Sequence, residues 1–329
     1  MSTDQGHIDQ EVLSQALTTL GDPRLSVGSP QWQIETFHRR RSVVSRLTNE
    51  DGSIIMYYKQ LLPVGQVGFE PKDSLQSRLR RTASLTAEAS RRLSGAAVSI
   101  PEVLAVDPEK LIIVTRAMAG AQLKRGQFTR AMIRSRDFYA PLLGRAFAVI
   151  EQVGGESSLS SELEGIQRNV DRRLEVAGIG ASEAAAVRQA VEVAAESSRD
   201  AYCHGDLSHS NILLSPGRAA IIDFGWSLRP RGYDVGLFSY RVAQPTKMSP
   251  RVGLQFVNQM MGAYQEALGE SYHPSSLAFV DLLMLIRGIT SQSYLLRSRS
   301  YRKLLRLLKN GSLSRDVADS GGPFPWSWT

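Results

Sequence analysis

The 329 residues, 42% of them hydrophobic, suffice for a sizeable core and by length suggest about two lobes or domains. No apolar run approaches the ~20 residues of a membrane span, because even 277–286 is broken by Asp281; residues 1–7 lack a secretory pattern, and a lone Cys203 cannot close an internal disulfide, so a cytoplasmic protein is expected. The net charge of +7 sits in clusters at 39–41, 78–81, 91–92 and 297–309, with no RNA- or DNA-binding motif beside them, so nucleic acid is not an expected partner, whereas a peripheral contact with an anionic membrane stays open.

In chain order, residues 8–20 place Val12, Leu13, Ala16, Leu17 and Leu20 at helical spacing, and Gly21-Asp22-Pro23 ends the segment. Strand-like runs follow at 32–37, 42–47 and 54–59, with Glu50-Asp51-Gly52-Ser53 as the turn between the second and third. Two further strands, 100–107 and 111–115, flank the Asp107-Pro108 turn. The remainder reads as helical. Residues 128–153 carry a broad apolar face with Pro141 as a break or kink, 182–197 is rich in Ala, Val and Glu, 252–268 and 275–293 are apolar, and 298–309 is basic.

The chemistry concentrates between Tyr202 and Gly225. Apolar segments at 211–214 and 219–222 flank the turn Ser215-Pro216-Gly217-Arg218, a hairpin signal that brings Asp206, Asn211 and Asp223 to neighbouring strand ends. His204, Asp206, Leu207 and Asn211 fit H-x-D-L-x-x-x-N, and Asp223-Phe224-Gly225 fits the D-F-G that follows it in the kinase catalytic loop. Six fixed residues at one spacing arise by accident with odds of roughly 10⁻⁸ per placement.

Position 205 is Gly205, where protein kinases carry an arginine, and only residues 226–232 separate Asp-Phe-Gly from Tyr233-Asp234-Val235-Gly236, with no long activation segment and no Ala-Pro-Glu. The pattern resembles the aminoglycoside phosphotransferase and choline kinase group of small-molecule kinases. The resemblance implies a two-lobe protein kinase-like α+β fold, an antiparallel-sheet N-lobe followed by a mainly helical C-lobe, and ATP and Mg²⁺ as cofactors. It makes Asp206 the catalytic base or orienter, Asp223 and Asn211 the oxygen ligands of magnesium, and Asp234 a brace for the loop backbone, the alternative for Asp234 being a helix N-cap. Aspartate is a weak base, so positioning is expected to matter more than basicity.

The same resemblance extends backward along the chain. Lys59 stands where the lysine that meets the α and β phosphates is kept, and its expected partner is Glu88, the only acid between Asp73 and Glu102. Arg116 to Gly120 falls at the hinge, where Arg116 and Met118 are expected to offer backbone groups to adenine. No G-x-G-x-x-G covers the phosphates, since Gly52 is the only glycine between Trp32 and Lys59; the turn at 38–42 falls where that loop would be, its Ser42 and an arginine serving either as phosphate contacts or, as an exposed turn, for solubility.

The organisation expected is a helical extension at 1–25, an N-lobe at 26–119 and a C-lobe at 120–329. The function expected is ATP-dependent phosphorylation of a hydroxyl on a small molecule such as a sugar, sugar phosphate, amino-alcohol or antibiotic. An arginine-rich C-terminal end favours a neutral or anionic acceptor, with Arg229 and Arg231 lying either where it could be met or in a solvated loop. Two rivals stay open, a catalytically silent nucleotide-binding regulator and an atypical protein kinase.

Overall fold

A computed structural model of the protein describes residues 8–21, 33–39, 42–49, 52–62, 75–155, 163–243, 250–291 and 294–309. The chain divides into two units, Met1–Ala121 with Leu213–Phe224, and Gln122–Ile212 with Gly225–Thr329.

The first unit is built on a five-stranded antiparallel sheet of order β1 (Gln33–His38), β2 (Ser42–Thr48), β3 (Ile54–Leu61), β6 (Ile112–Arg116), β5 (Val103–Asp107). One sheet face is covered by α1 (Gln10–Leu20), which Asp9 caps by accepting from Glu11 N and Val12 N and which Gly21 ends in the left-handed region at φ 72°. The apolar stripe Val12, Leu13, Ala16 and Leu17 is buried against Leu47, Met56, Leu104 and Val114. The helix expected as an extension is therefore a layer of this core. Lys110 ties it down from the β5–β6 turn, bonding Asp9 at 2.9 Å and Glu11 at 3.1 Å, and both acids raise the lysine's pKa. Helix α2 (Leu75–Arg92) buries Leu79, Ala83, Thr86 and Ala89 at three- and four-residue steps, so the arginines at 78–81 flank a buried stripe. A small second sheet has the order β4 (Val98–Ser99), β10 (Arg218–Ile221), β9 (Ile212–Ser215), β7 (Ala121–Gln122).

The second unit is helical. The run expected as one helix at 128–153 is two, α3 (Arg125–Arg134) and α4 (Arg136–Gly154), separated at Ser135. Pro141 sits inside α4, near enough to its start that the hydrogen bond it forgoes belongs to the first turns, and the break comes earlier. Helix α4 lies close along α8 (Pro250–Leu268): a Cβ at Gly144 would collide with the Met260 carbonyl. Helices α5 (Leu163–Val176), α6 (Ala181–Glu196), α9 (Pro274–Ile289) and α10 (Tyr294–Lys309) share a core of Leu174, Val187, Val191, Phe279, Ile286 and Leu304. A two-stranded ribbon, β8 (Asp200–Cys203) with β11 (Ser227–Pro230), precedes α7 (Tyr233–Ala243). No described helix is long and apolar enough to cross a membrane.

Candidate active site

In the second unit the chain leaves β8 at Cys203 and turns sharply. Gly205 adopts φ 80°, and a Cβ there would strike the Ser227 hydroxyl, so a side chain is excluded on both counts. Asp234, in the first turn of α7 and 5% exposed, receives His204 N at 2.7 Å and Gly205 N at 2.9 Å, one on each carboxylate oxygen. This is a brace on the loop backbone and not a helix cap. Burial raises the Asp234 pKa, against the His204 charge and the two amides, which lower it.

The brace fixes the residues that follow. Asp206 N donates to His204 Nδ1 at 3.3 Å, and Asn211 Nδ2 donates to the Asp206 carbonyl at 2.8 Å, so the Asn211 Oδ1 is left as the acceptor end of the amide. The Asp206 carboxylate is 73% exposed, and Arg241 on α7 donates to its Oδ1 at 2.8 Å. A second Arg241 nitrogen bonds the Leu207 carbonyl. Arg241 was not singled out in the sequence, although a signal existed: it lies seven residues after Asp234, two turns along one helix face.

In the first unit Lys59, on β3, donates from Nζ to Asp223 Oδ1 at 2.6 Å. Asp223 has φ 62°, a left-handed conformation uncommon for a residue with a side chain. The pairing expected between Lys59 and Glu88 is absent. Glu88 instead receives Arg92 Nε at 2.7 Å and Arg91 through Nε at 2.9 Å and a terminal nitrogen at 2.8 Å. These arginines, three and four residues on, are its nearest neighbours on the helix surface, and they hold its carboxyl below the usual range, Arg92 foremost. Arg116 ends β6 paired with Glu102 at 2.7 Å, and half-buried Met118 follows it, with Ala117 N held by the Ile55 carbonyl. Of the turn expected over the phosphates, Arg40 and Arg41 lie outside the described residues, while Ser42 is buried.

Oxygen donors such as the Asp223 carboxylate and the Asn211 amide suit magnesium. Among the described residues no three His, Cys, Asp or Glu side chains gather into a metal cluster.

Arg231 is neither the acceptor contact nor the solvated loop cation that the sequence offers. Arg231 is 6% exposed and pairs at 2.9 Å with the buried Glu151, which also receives Gly232 N and the Tyr264 hydroxyl at 2.6 Å. Arg229 stacks over the Tyr233 ring at 5.8 Å. A cavity in the second unit lies elsewhere, about 420 Å³ and lined by Arg125, Arg173, Arg241, Arg287, Ser208 and His209, together with Phe128 and Phe238. Ser208 and His209 thereby gain a location that the sequence could not assign.

Known proteins bear on this arrangement. A solved choline/ethanolamine kinase family protein from Mesorhizobium loti is 18% identical with a TM-score of 0.53, covering 92% of this chain and 96% of its own. Choline kinase from Cryptosporidium parvum Iowa II is 10% identical with a TM-score of 0.56, covering 94% and 100%. An aminoglycoside phosphotransferase from Alicyclobacillus acidocaldarius also matches, at 11% identity and a TM-score of 0.48, covering 95% and 97%. At such identities the first two show the fold alone: protein kinase-like, with an antiparallel-sheet N-terminal region and a helical C-terminal one. No protein of curated function matches. The model of the phosphotransferase enzyme family (APH) matches residues 32–269, most of the chain including Lys59, Asp206, Asn211, Asp223 and Asp234, so the protein belongs to that family.

Proposed function

We propose that the protein transfers the γ-phosphate of ATP to a hydroxyl group of a small molecule. The observation that carries this reading is the loop 204–211: Asp234 holds its backbone from below, and the Asp206 carboxylate stands exposed at its tip, with Arg241 on Oδ1 and Oδ2 available. A group held in this way can orient an acceptor hydroxyl and take its proton.

In the reaction the acceptor oxygen attacks the γ-phosphorus, the bond from that phosphorus to the β,γ-bridging oxygen breaks, and ADP leaves. The hydroxyl proton passes to Asp206 and then to solvent. Magnesium, when bound, would neutralise charge on the phosphates, and Asp223 and Asn211 are the residues that would hold it. Lys59 would offer its ammonium to the same phosphates, exchanging Asp223 for them. Arg116 and Met118 stay assigned to the adenine hinge, and Glu88 to the helix from which Lys59 could be supported. Such a reaction needs positioning and charge neutralisation more than covalent help, and these residues provide both.

The test is ADP release with Mg-ATP across sugars, sugar phosphates, hydroxy acids, amino-alcohols and aminoglycosides, repeated with Asp206→Asn. Turnover on one class, lost by about 10²-fold or more in the variant while Mg-ATP still binds, is the expected result. Silence across every class would favour a nucleotide-binding regulator, and labelled phosphate on protein instead of metabolite would favour a protein kinase.

A further inference from the structure

We infer that the acceptor is an anion, a hydroxylated metabolite carrying a phosphate monoester or a carboxylate, and that the arginine-lined cavity receives that group. The inference rests on the phosphotransferase reading above and adds to it the charge class of the substrate.

The lining is one-sided. It contains Arg125, Arg173, Arg241, Arg287 and His209, and no aspartate or glutamate among the described residues. A solvated protein face commonly intersperses both signs of charge; four guanidinium groups converging on one concavity whose own lining holds no acid is a different arrangement, although Arg241 pairs with Asp206, which is not part of that lining. Arg173 is held by two neutral oxygens, Asn169 Oδ1 at 3.1 Å and Thr290 Oγ1 at 2.5 Å, and neither Arg173 nor Arg287 forms an ion pair with a described residue. These contacts orient the guanidinium without neutralising it.

The electrostatic consequence falls on Arg173, whose pKa is lowered by burial first and then by the charges of Arg287 and Arg172. A guanidinium crowded by like charge gains from an incoming anion, and planar guanidinium groups match carboxylate and phosphate oxygens in paired hydrogen bonds. A quaternary ammonium would need an aromatic cage, and a polycation would need acids; four arginines oppose both.

Arg241 links the cavity to the chemistry. The side chain that lines the cavity also bonds Asp206 Oδ1 at 2.8 Å, so an acceptor whose anionic end sits among the arginines has its hydroxyl end directed toward the residue that takes its proton. The volume of about 420 Å³ falls in the range of pockets for small molecules.

The experiment compares matched pairs on the full-length protein with Mg-ATP: sugars against their phosphates, polyols against the corresponding hydroxy acids, and choline, ethanolamine and an aminoglycoside as cations. Anionic members are expected to exceed their neutral partners in kcat/KM by about 10²-fold or more. The better of the phosphate and carboxylate arms identifies the group. Arg287→Gln and, separately, Arg173→Gln should raise the acceptor KM by roughly 10- to 100-fold with nucleotide KM unaltered. Arg287→Gln is the second variant in case the loss of the Asn169 and Thr290 bonds unfolds Arg173→Gln. Inorganic phosphate, titrated into the protein without nucleotide, should raise the Tm of the wild type and leave that of Arg287→Gln unchanged. Turnover confined to neutral or cationic acceptors would overturn the inference and leave the phosphotransferase reading standing. Phosphate stabilising the wild type and not Arg287→Gln, without turnover on any acceptor, would support the anion site while sinking that reading.

Discussion

Asp234→Asn isolates the brace on the loop from the chemistry at its tip. The wild-type carboxylate accepts two backbone amides, His204 N at 2.7 Å and Gly205 N at 2.9 Å, in a site 5% exposed. Asparagine keeps one oxygen, so one amide retains an acceptor and the other faces an NH₂ group. The loss is one charge-assisted hydrogen bond, worth about 1.5–3 kcal/mol, plus a buried N–H left unmatched at about 1–3 kcal/mol. Against this stands the relief of no longer burying a carboxylate, whose cost is expressed in its raised pKa. A net penalty of about 2–4 kcal/mol falls on residues 204–206, because β8, paired with β11, fixes the chain before them and the Asn211 and Arg241 bonds to the Asp206 and Leu207 carbonyls hold it after them. At 1.36 kcal/mol per decade, kcat should fall by about 30- to 1,000-fold. Nucleotide KM should change by less than about twofold, because Lys59 and Asp223 belong to the other unit. Steady-state kinetics with a circular-dichroism melt checks both halves. Wild-type kcat in a folded Asp234→Asn protein would show that the loop does not depend on this carboxylate.

Three further outcomes follow from other parts of the structure. Glu88→Gln should leave Tm within about 2 °C and nucleotide KM within about twofold, because its bonds run to Arg91 and Arg92 and not to Lys59; a tenfold rise in nucleotide KM would mean that Lys59 changes partner when nucleotide binds. Glu151→Ala should cost about 3–5 kcal/mol in urea unfolding, since it strands Arg231, the Tyr264 hydroxyl and Gly232 N in the interior. Asp281, whose Oδ1 is buried without a hydrogen bond among the described residues, has its pKa pushed well above the carboxylate range by burial, with the Lys303 charge opposing. The native state then holds a proton that the unfolded chain loses near pH ~4, so this group's stabilising contribution fades as pH rises through the native pKa. Asp281→Asn should therefore gain more in urea midpoint at pH 8 than at pH 4.5, and equal midpoint shifts at the two pH values would refute the assignment.

Most of what local chemistry dictates was legible in the chain. The stripe of α1, the sheet strands and the loop from His204 to Asn211 each follow from spacing within a few residues, and the structure has them. The errors lie where long-range packing decides. Arg91 and Arg92 stand at the three- and four-residue spacing that pairs with Glu88 on a helix surface, but nothing local reveals that Lys59 goes to Asp223, a residue 164 positions away. Arg231 read as an exposed loop cation because its partner, Glu151, is 80 residues upstream on another helix. The cavity was least visible of all. Its arginines come from α3, α5, α7 and α9, one each, so no run or period betrays them. The conspicuous clusters at 78–81 and 91–92 sit on α2 and line no part of the cavity.

The Lys59–Asp223 pair shows how a bond can belong to a site without stabilising the fold. With side chains 31% and 57% exposed, the two charges remain hydrated, and pairs of this kind contribute about 0.2–1 kcal/mol. The left-handed backbone at Asp223, at φ 62°, costs about 1–3 kcal/mol, which the pair does not offset. A conformation retained at such a cost must be imposed by its surroundings, here the β9–β10 hairpin that ends just before it, whose Ala219, Ala220 and Ile221 are buried. The fold thus presents the carboxylate whether or not Lys59 is bound to it. In the proposed reaction, phosphate and metal can separate the two at a cost of under about 1 kcal/mol, so the resting bond need not weaken nucleotide affinity by more than a few-fold.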